Sequence, residues 1–122
     1  MASILFVEKY KNQRLLFEQE FSQEGYDVTI TSDGKDASDK VKTRPPDIIV
    51  MDVCILNISG VEAMSRILKK LKSIPLIIYT AYDSYKDVCR IWGADAYLVK
   101  SSDLTELTNK IEELLSKAVN PV

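Results

Sequence analysis

Asp47-Ile48-Ile49-Val50-Met51-Asp52-Val53-Cys54-Ile55-Leu56-Asn57-Ile58-Ser59-Gly60 carries the strongest pattern in the chain. An unbroken apolar run of this length, bounded by turn residues, reads as a strand buried on both faces of a parallel sheet. The run meets a carboxylate at Asp52 and then enters a loop closed by Gly60. Open α/β sheets place their chemistry at the carboxyl ends of central parallel strands. Asp52 is therefore the first candidate functional residue.

Upstream, Arg44-Pro45-Pro46 forbids helix and delivers the chain, extended, into this strand. Ile4-Leu5-Phe6-Val7 is a second continuous apolar run, followed by Glu8-Lys9-Tyr10. The segment from Asn12 to Glu24, with Leu15, Leu16, Phe17 and Phe21 set among polar residues, reads as a helix stopped by Gly25 in a left-handed conformation. Val28-Thr29-Ile30-Thr31 alternates apolar and polar, which suits an edge strand with one lightly covered face. Ser32 or Asp33 can cap a short helix that carries Ala37 and Val41, four residues apart on one face.

Downstream, Ser59 and Glu62 have the spacing of a capping box. Val61, Met64, Ile67, Leu68 and Leu71 follow at helical spacing. Pro75 opens the strand Leu76-Ile77-Ile78-Tyr79, which leads into Thr80-Ala81. Tyr85, Val88, Ile91 and Trp92 give a weaker helical stripe ended by Gly93. Ala96-Tyr97-Leu98-Val99 is a fifth strand, ending in Lys100. Asp103 with Glu106 caps a last helix striped by Leu104, Leu107, Ile111, Leu114 and Leu115.

Strand and helix alternate five times. That alternation predicts an α/β fold, a (βα)5 doubly wound, five-stranded parallel sheet with helices on both faces. With an alternating second strand at the edge, the strand order is 2-1-3-4-5, the flavodoxin-like arrangement. The chain of 122 residues fits a single domain, 1–122. It has the size to bury about two thirds of its unfolded surface without staples.

The net charge of −2 and the lack of a basic run argue against direct binding of nucleic acid. Apolar stretches fall short of the ~20 residues of a membrane span, and no signal peptide precedes the first strand, so a cytoplasmic location is expected. Cys54 and Cys89 have no metal-ligand or redox spacing and read as small buried hydrophobes. The chain has no histidine, which excludes histidine-based triads, histidine zinc sites and phosphohistidine carriage. Any phosphoryl chemistry in this chain must run through a carboxylate or a hydroxyl.

In a parallel sheet all strand ends open onto one rim. Glu8 and Lys9 follow strand one, Asp52 ends strand three, Thr80 follows strand four and Lys100 ends strand five. Strands one and three flank the switch point, which sets Glu8 beside Asp52. Taken singly each residue has an ordinary explanation: Asp as a turn former, Lys as a surface charge, Thr bonded to backbone. Four strand ends carrying compatible polar groups together point to a site.

These residues resemble the receiver domains of two-component response regulators. The resemblance covers Ile4 to about Ala118 and rests on Glu8, on Asp52 followed eight residues later by Gly60, on Thr80-Ala81, on Gly93-Ala94-Asp95-Ala96-Tyr97 and on Lys100. It implies that Asp52 accepts a phosphoryl group from a sensor histidine kinase or phosphotransfer protein. Thr80 would then bond the phosphoryl group, Lys100 pair with its charge, and Tyr97 turn inward on activation. The surface of the fourth helix, fifth strand and fifth helix would change and be sensed by an effector protein, a linked output domain or a second copy in a homodimer. Phosphoryl transfer needs positioning and charge neutralisation more than covalent help, so the residue set suffices chemically.

Three departures from the family pattern stand out. The family has adjacent acids after strand one, which with the phosphoacceptor and a backbone carbonyl hold Mg2+. Here the set is Glu8, Asp52 and the carbonyl of Cys54, and Lys9 stands in place of the second acid. An ammonium cannot ligate a cation, so metal affinity is expected to fall. A carboxylate plus a divalent cation sums to the charge of one lysine, so Lys9 pairing with Asp52 could replace the metal. Ser101 stands where the family has a cis-proline; a cis bond before serine costs about 2.5–4 kcal/mol, so a trans bond is expected. Leu56 replaces a loop proline. Cys54 and Tyr82 fill the positions that the resemblance links to phosphoryl lifetime; neither orients water well, and slow hydrolysis is expected.

Two functions compete. The first is a phosphorylation switch, not an enzyme beyond self-catalysed phosphoryl transfer and slow autodephosphorylation, and the joint presence of Asp52, Thr80 and Lys100 favours it. The second is a phosphorylation-independent interaction module, favoured by Lys9 and Ser101. An aspartate-nucleophile phosphatase needs an acid where Cys54 stands, and a flavin carrier needs a phosphate loop unlike Glu8-Lys9-Tyr10-Lys11-Asn12.

Overall fold

The computed structural model describes residues 2–52, 74–82 and 93–119. Five parallel strands, β1 (Ser3–Val7), β2 (Asp27–Thr31), β3 (Ile48–Met51), β4 (Leu76–Thr80) and β5 (Ala96–Val99), form one sheet in the order β2-β1-β3-β4-β5. Three helices lie within the described residues: α1 (Lys11–Gln23), α2 (Gly34–Thr43) and α3 (Thr105–Val119).

The apolar runs become central strands because both faces of the sheet are covered. Side chains alternate between faces. Leu5, Val7, Ile49, Met51, Leu76 and Ile78 pack with Ala37 and Val41 of α2 on one side. Ile4, Phe6, Ile48, Val50, Ile77 and Tyr79 pack with Phe17 and Phe21 of α1 and Leu107 and Ile111 of α3 on the other. A strand that must be apolar on both sides reads as a continuous run, and this is the pattern of β1, β3 and β4. Phe6 stacks on Phe17 with ring centroids 4.7 Å apart, the close aromatic contact under α1.

The second strand is an edge, as its alternation implies: it pairs only with β1 among the described strands, and Thr29 is exposed. Gly25 ends the first helical segment at φ 94°, a conformation that crowds the Cβ of other residues. Of the two cap candidates for α2, Asp33 acts, accepting a hydrogen bond from the Lys35 N–H at 3.0 Å. Asp103 likewise caps α3, its Oδ1 accepting from the Thr105 N–H at 2.9 Å. Helix α1 starts at Lys11, one residue before the expected Asn12, with no side-chain cap at Tyr10. Cys54, Leu56, Gly60, the Ser59–Glu62 capping box, the stripe over 61–71, the stripe over 85–92 and Cys89 lie outside the described residues.

Candidate functional site

Register decides what meets at the rim. β1 and β3 run side by side with Val7 opposite Met51, so the residues that follow, Glu8 and Asp52, leave the sheet together. Backbone bonds carry the pairing one step past each strand: Glu8 N–H donates to Thr31 O at 2.9 Å and Asp52 N–H to Val7 O at 3.0 Å. On the far side β4 pairs with β5, Thr80 opposite Val99, and Lys100 N–H donates to Thr80 O at 2.7 Å. Glu8, Asp52, Thr80 and Lys100 therefore come to one place.

Lys100 links them. Its Nζ lies 2.6 Å from Asp52 Oδ2 and 2.7 Å from Glu8 Oε1. Both carboxylate side chains are 2% exposed and the lysine side chain 14%. Two buried carboxylates side by side call for a counter-charge, and among the described residues the Lys100 ammonium faces both. Burial alone pushes the Lys100 ammonium toward deprotonation, but its hydrogen bonds to Asp52 and Glu8, with their charges, outweigh that and raise its pKa above the ordinary lysine value. Lys100 thus stays charged through the physiological range.

Tyr10 closes the side of the cluster. Its backbone N–H donates to Glu8 Oε2 at 3.1 Å, and its ring lies 5.2 Å from the Lys100 Nζ, a cation–π contact. Arg14 holds the turn below, its guanidinium donating to the carbonyls of Glu8 at 3.1 Å and Lys9 at 2.6 Å.

Lys9 behaves differently from the expectation that it replaces a cation at Asp52. Its side chain is exposed and its Nζ lies 5.9 Å from the Tyr10 ring centroid, while the ammonium against Asp52 is that of Lys100. The residue after a strand and the residue ending another are equivalent on a sequence rim; the turn after β1 carries Lys9 outward and Glu8 inward.

Thr80 is fully buried, its Oγ1 accepting from the Tyr82 N–H at 3.5 Å. Tyr97 is partly buried against the core on the α2 side, and its hydroxyl donates to the Tyr82 carbonyl. Thr80, Tyr82 and Tyr97 are thereby connected across the ends of β4 and β5. The Lys100–Ser101 peptide is trans, as expected before serine, since no cis bond occurs among the described residues. Cys54 lies outside the described residues, so its carbonyl is not placed.

Tyr10, Arg14 and Tyr79 were not legible as site residues. Tyr10 bonds Glu8 through its backbone N–H and Arg14 bonds backbone carbonyls, contacts that composition does not mark. Tyr79 sits within an apolar strand and reads as core; the signal available was its hydroxyl, which needs a partner when buried.

A hard cation of the Mg2+ type takes one or two carboxylates and keeps several waters. Glu8 and Asp52 fit that requirement in type and proximity, with Lys100 ceding an oxygen. Among the described residues no cluster of three acidic, histidine or cysteine side chains forms.

The family model of the response regulator receiver domain matches residues 4–112. Response regulator ArlR of Staphylococcus epidermidis is 37% identical over 119 residues, covering 96% of this chain and 54% of that protein. The chain thus spans about half the length of the curated relatives it matches. Among solved structures, response regulator TrrA of Thermotoga maritima, crystallised with Mg2+-BeF, is 35% identical with a TM-score of 0.84, over 93% of this chain and 99% of that one. A CheY-like receiver domain protein of Methanospirillum hungatei superposes with a TM-score of 0.88 at 25% identity, over 98% of this chain and 97% of that one.

Proposed function

The chain belongs to the family of response regulator receiver domains of two-component systems, and from that premise we propose that Asp52 is its phosphoacceptor. The observation that carries the assignment is the buried Asp52 carboxylate, 2.6 Å from the Lys100 ammonium beside a second buried acid, Glu8. A carboxylate oxygen of Asp52 attacks the phosphorus of phosphohistidine on a sensor kinase or phosphotransfer protein. The new O–P bond forms as the N–P bond breaks, and the imidazole leaves with the electron pair.

Charge neutralisation is the main demand of such a transfer. Lys100 already faces the reacting carboxylate and follows the negative charge onto the phosphoryl oxygens. Thr80, at the end of the neighbouring strand, supplies a hydroxyl donor. Movement of Thr80 draws on the Tyr82 backbone and hence on Tyr97, which carries the change to the β5 side of the molecule, where an effector, a linked output domain or a second copy reads it. Mg2+ bound by Glu8, Asp52 and the Cys54 carbonyl would add charge neutralisation, and Lys9 lowers its affinity. Cys54 and Tyr82 offer poor orientation of an attacking water, so the acyl phosphate is long-lived. The action is cytoplasmic signalling and not turnover of a free substrate; no helix among the described residues is long and apolar enough to cross a membrane.

The interaction-module reading drew on Lys9 replacing the metal at Asp52 and on Ser101; the exposed Lys9 side chain takes away the first of these supports. The test is incubation with acetyl phosphate, read by intact mass with and without Mg2+. Wild type gains one phosphoryl group and Asp52→Asn gains none. Equal uptake by the variant, or no uptake by wild type in either condition, would remove Asp52 from the role.

A further inference from the structure

The chain leaving β5 is tied to the last two residues of β4. Lys100 N–H donates to Thr80 O at 2.7 Å. One residue on, the Tyr79 hydroxyl donates to the Ser101 carbonyl and accepts from the Ser101 N–H, each at 3.3 Å. Tyr79 is buried, with its ring 6.0 Å from that of Phe17 in the core under α1. A phenol has one proton to give and lone pairs to receive, and a buried hydroxyl among apolar side chains must use them. Here both capacities go to the backbone of a single residue, the N–H and the carbonyl of Ser101, which follows the lysine of the site.

We propose that Tyr79 is a positioning residue for Lys100, its hydroxyl clamping the backbone of Ser101 so that the ammonium is aimed at Asp52 and Glu8. The direction of a long lysine side chain depends on where its own backbone points, and a surface turn after a strand end fixes that weakly. The clamp anchors the turn to a ring that cannot move, because the ring is packed in the core. In this chain the clamp uses the backbone N–H of position 101, which any residue but proline supplies. Proline at 101 would remove the group that donates to Tyr79 and leave half of the clamp. The Ser101 side chain has a separate task, its Oγ accepting from the Asp103 N–H at 3.2 Å.

Three variants separate the clamp from ordinary structure. Tyr79→Phe keeps the ring and deletes the hydroxyl. Ser101→Pro deletes the N–H. Ser101→Ala keeps both peptide groups and loses only the hydroxyl bonded to Asp103. Each is first shown to fold by its denaturant midpoint. Placement of Lys100 is then read in metal-free buffer by its rate of acetylation with acetic anhydride, mapped by peptide mass and referred to the exposed Lys117. The expected result is severalfold faster acetylation of Lys100 in Tyr79→Phe and Ser101→Pro, with Ser101→Ala at the wild-type rate. The double variant Tyr79→Phe/Ser101→Pro is expected to be no worse than Tyr79→Phe, since loss of the hydroxyl already removes the bond that proline at 101 deletes.

The second readout rests on the phosphoacceptor reading: the maximum rate of phosphoryl uptake from acetyl phosphate falls about tenfold in Tyr79→Phe with the half-saturating donor concentration unchanged, the mark of a misaimed group. The acetylation arm needs no phosphorylation, so it tests the clamp even if Asp52 accepts nothing. Wild-type protection of Lys100 in Tyr79→Phe, additive losses in the double variant, or a Ser101→Ala effect as large as that of Tyr79→Phe would each overturn the assignment.

Discussion

Lys100 stands between Asp52 and Glu8 at 2.6 and 2.7 Å, with an aromatic ring on its flank and an apolar sheet behind the acids. Removing one member of a buried ionic group costs far more than the group contributes net, because the remaining charges lose their partner. Lys100→Met in metal-free buffer is expected to destabilise the fold by about 3 kcal/mol, measured by denaturant unfolding at neutral pH. The pH dependence has a definite sign. The folded protein holds the Lys100 proton more tightly than the unfolded chain, so the contribution is complete below about pH 10.4, the unperturbed lysine value, and is lost as pH rises through the folded value. The stability difference between wild type and Lys100→Met is therefore flat from neutral pH to about pH 9.5 and narrows above that. At position 9 the expectation concerns metal: Lys9→Asp places an acid beside Glu8 and raises Mg2+ affinity about tenfold by titration calorimetry, through added ligand charge. An unchanged affinity would mean that position 9 does not face the cation. At this scale Asp52, Glu8 and Lys100 were legible because strand ends announce themselves as the residues that terminate apolar runs. Which of two lysines meets the acids was not, since it depends on the turn after β1, where Arg14 and the Tyr10 N–H hold Lys9 and Glu8 in opposite directions.

The elements follow from periodicity and caps, and the caps bear on the site. Asp103 begins α3 only three residues after Lys100, so it sets where the turn carrying the lysine must end. Asp103→Ala is expected to lower the denaturant midpoint, as loss of an N-cap does. A loss within error would mean that Ser101 and Thr105 hold the turn without it. The edge character of β2 was readable because alternation is what a half-covered strand requires, and β1, β3 and β4 were readable because strands covered on both faces have no polar positions to show. The start of α1 was displaced by one residue: Tyr10 offers no side-chain cap, and without such a signal the first turn has no mark in the sequence. Tyr79 illustrates a second limit. The continuous apolar run placed it in a buried strand, while the reach of its hydroxyl across to Ser101 follows from the pairing of β4 with β5, a relation of tertiary origin.

At the scale of the whole molecule, strand order does the work of assembly. Placing β1 and β3 at the centre brings two acids together; placing β5 beyond β4 brings the lysine over them across Thr80. The order 2-1-3-4-5 was legible from five alternations and one edge strand, and the family match over residues 4–112 agrees with it. The same placement connects Thr80 to the outer strand through Tyr82 and Tyr97, the route the proposed function uses to carry a charge change outward. The proposed function depends on Asp52 being the residue that takes the phosphoryl group. The most direct measurement is to treat the domain with acetyl phosphate, reduce the product with borohydride and locate the reduced residue by peptide mass spectrometry. An aspartyl phosphate becomes homoserine under these conditions, so the account predicts homoserine at position 52 and nowhere else. Reduction at Glu8, a phosphate retained on Thr80, or no modified residue in a protein that remains folded would contradict it.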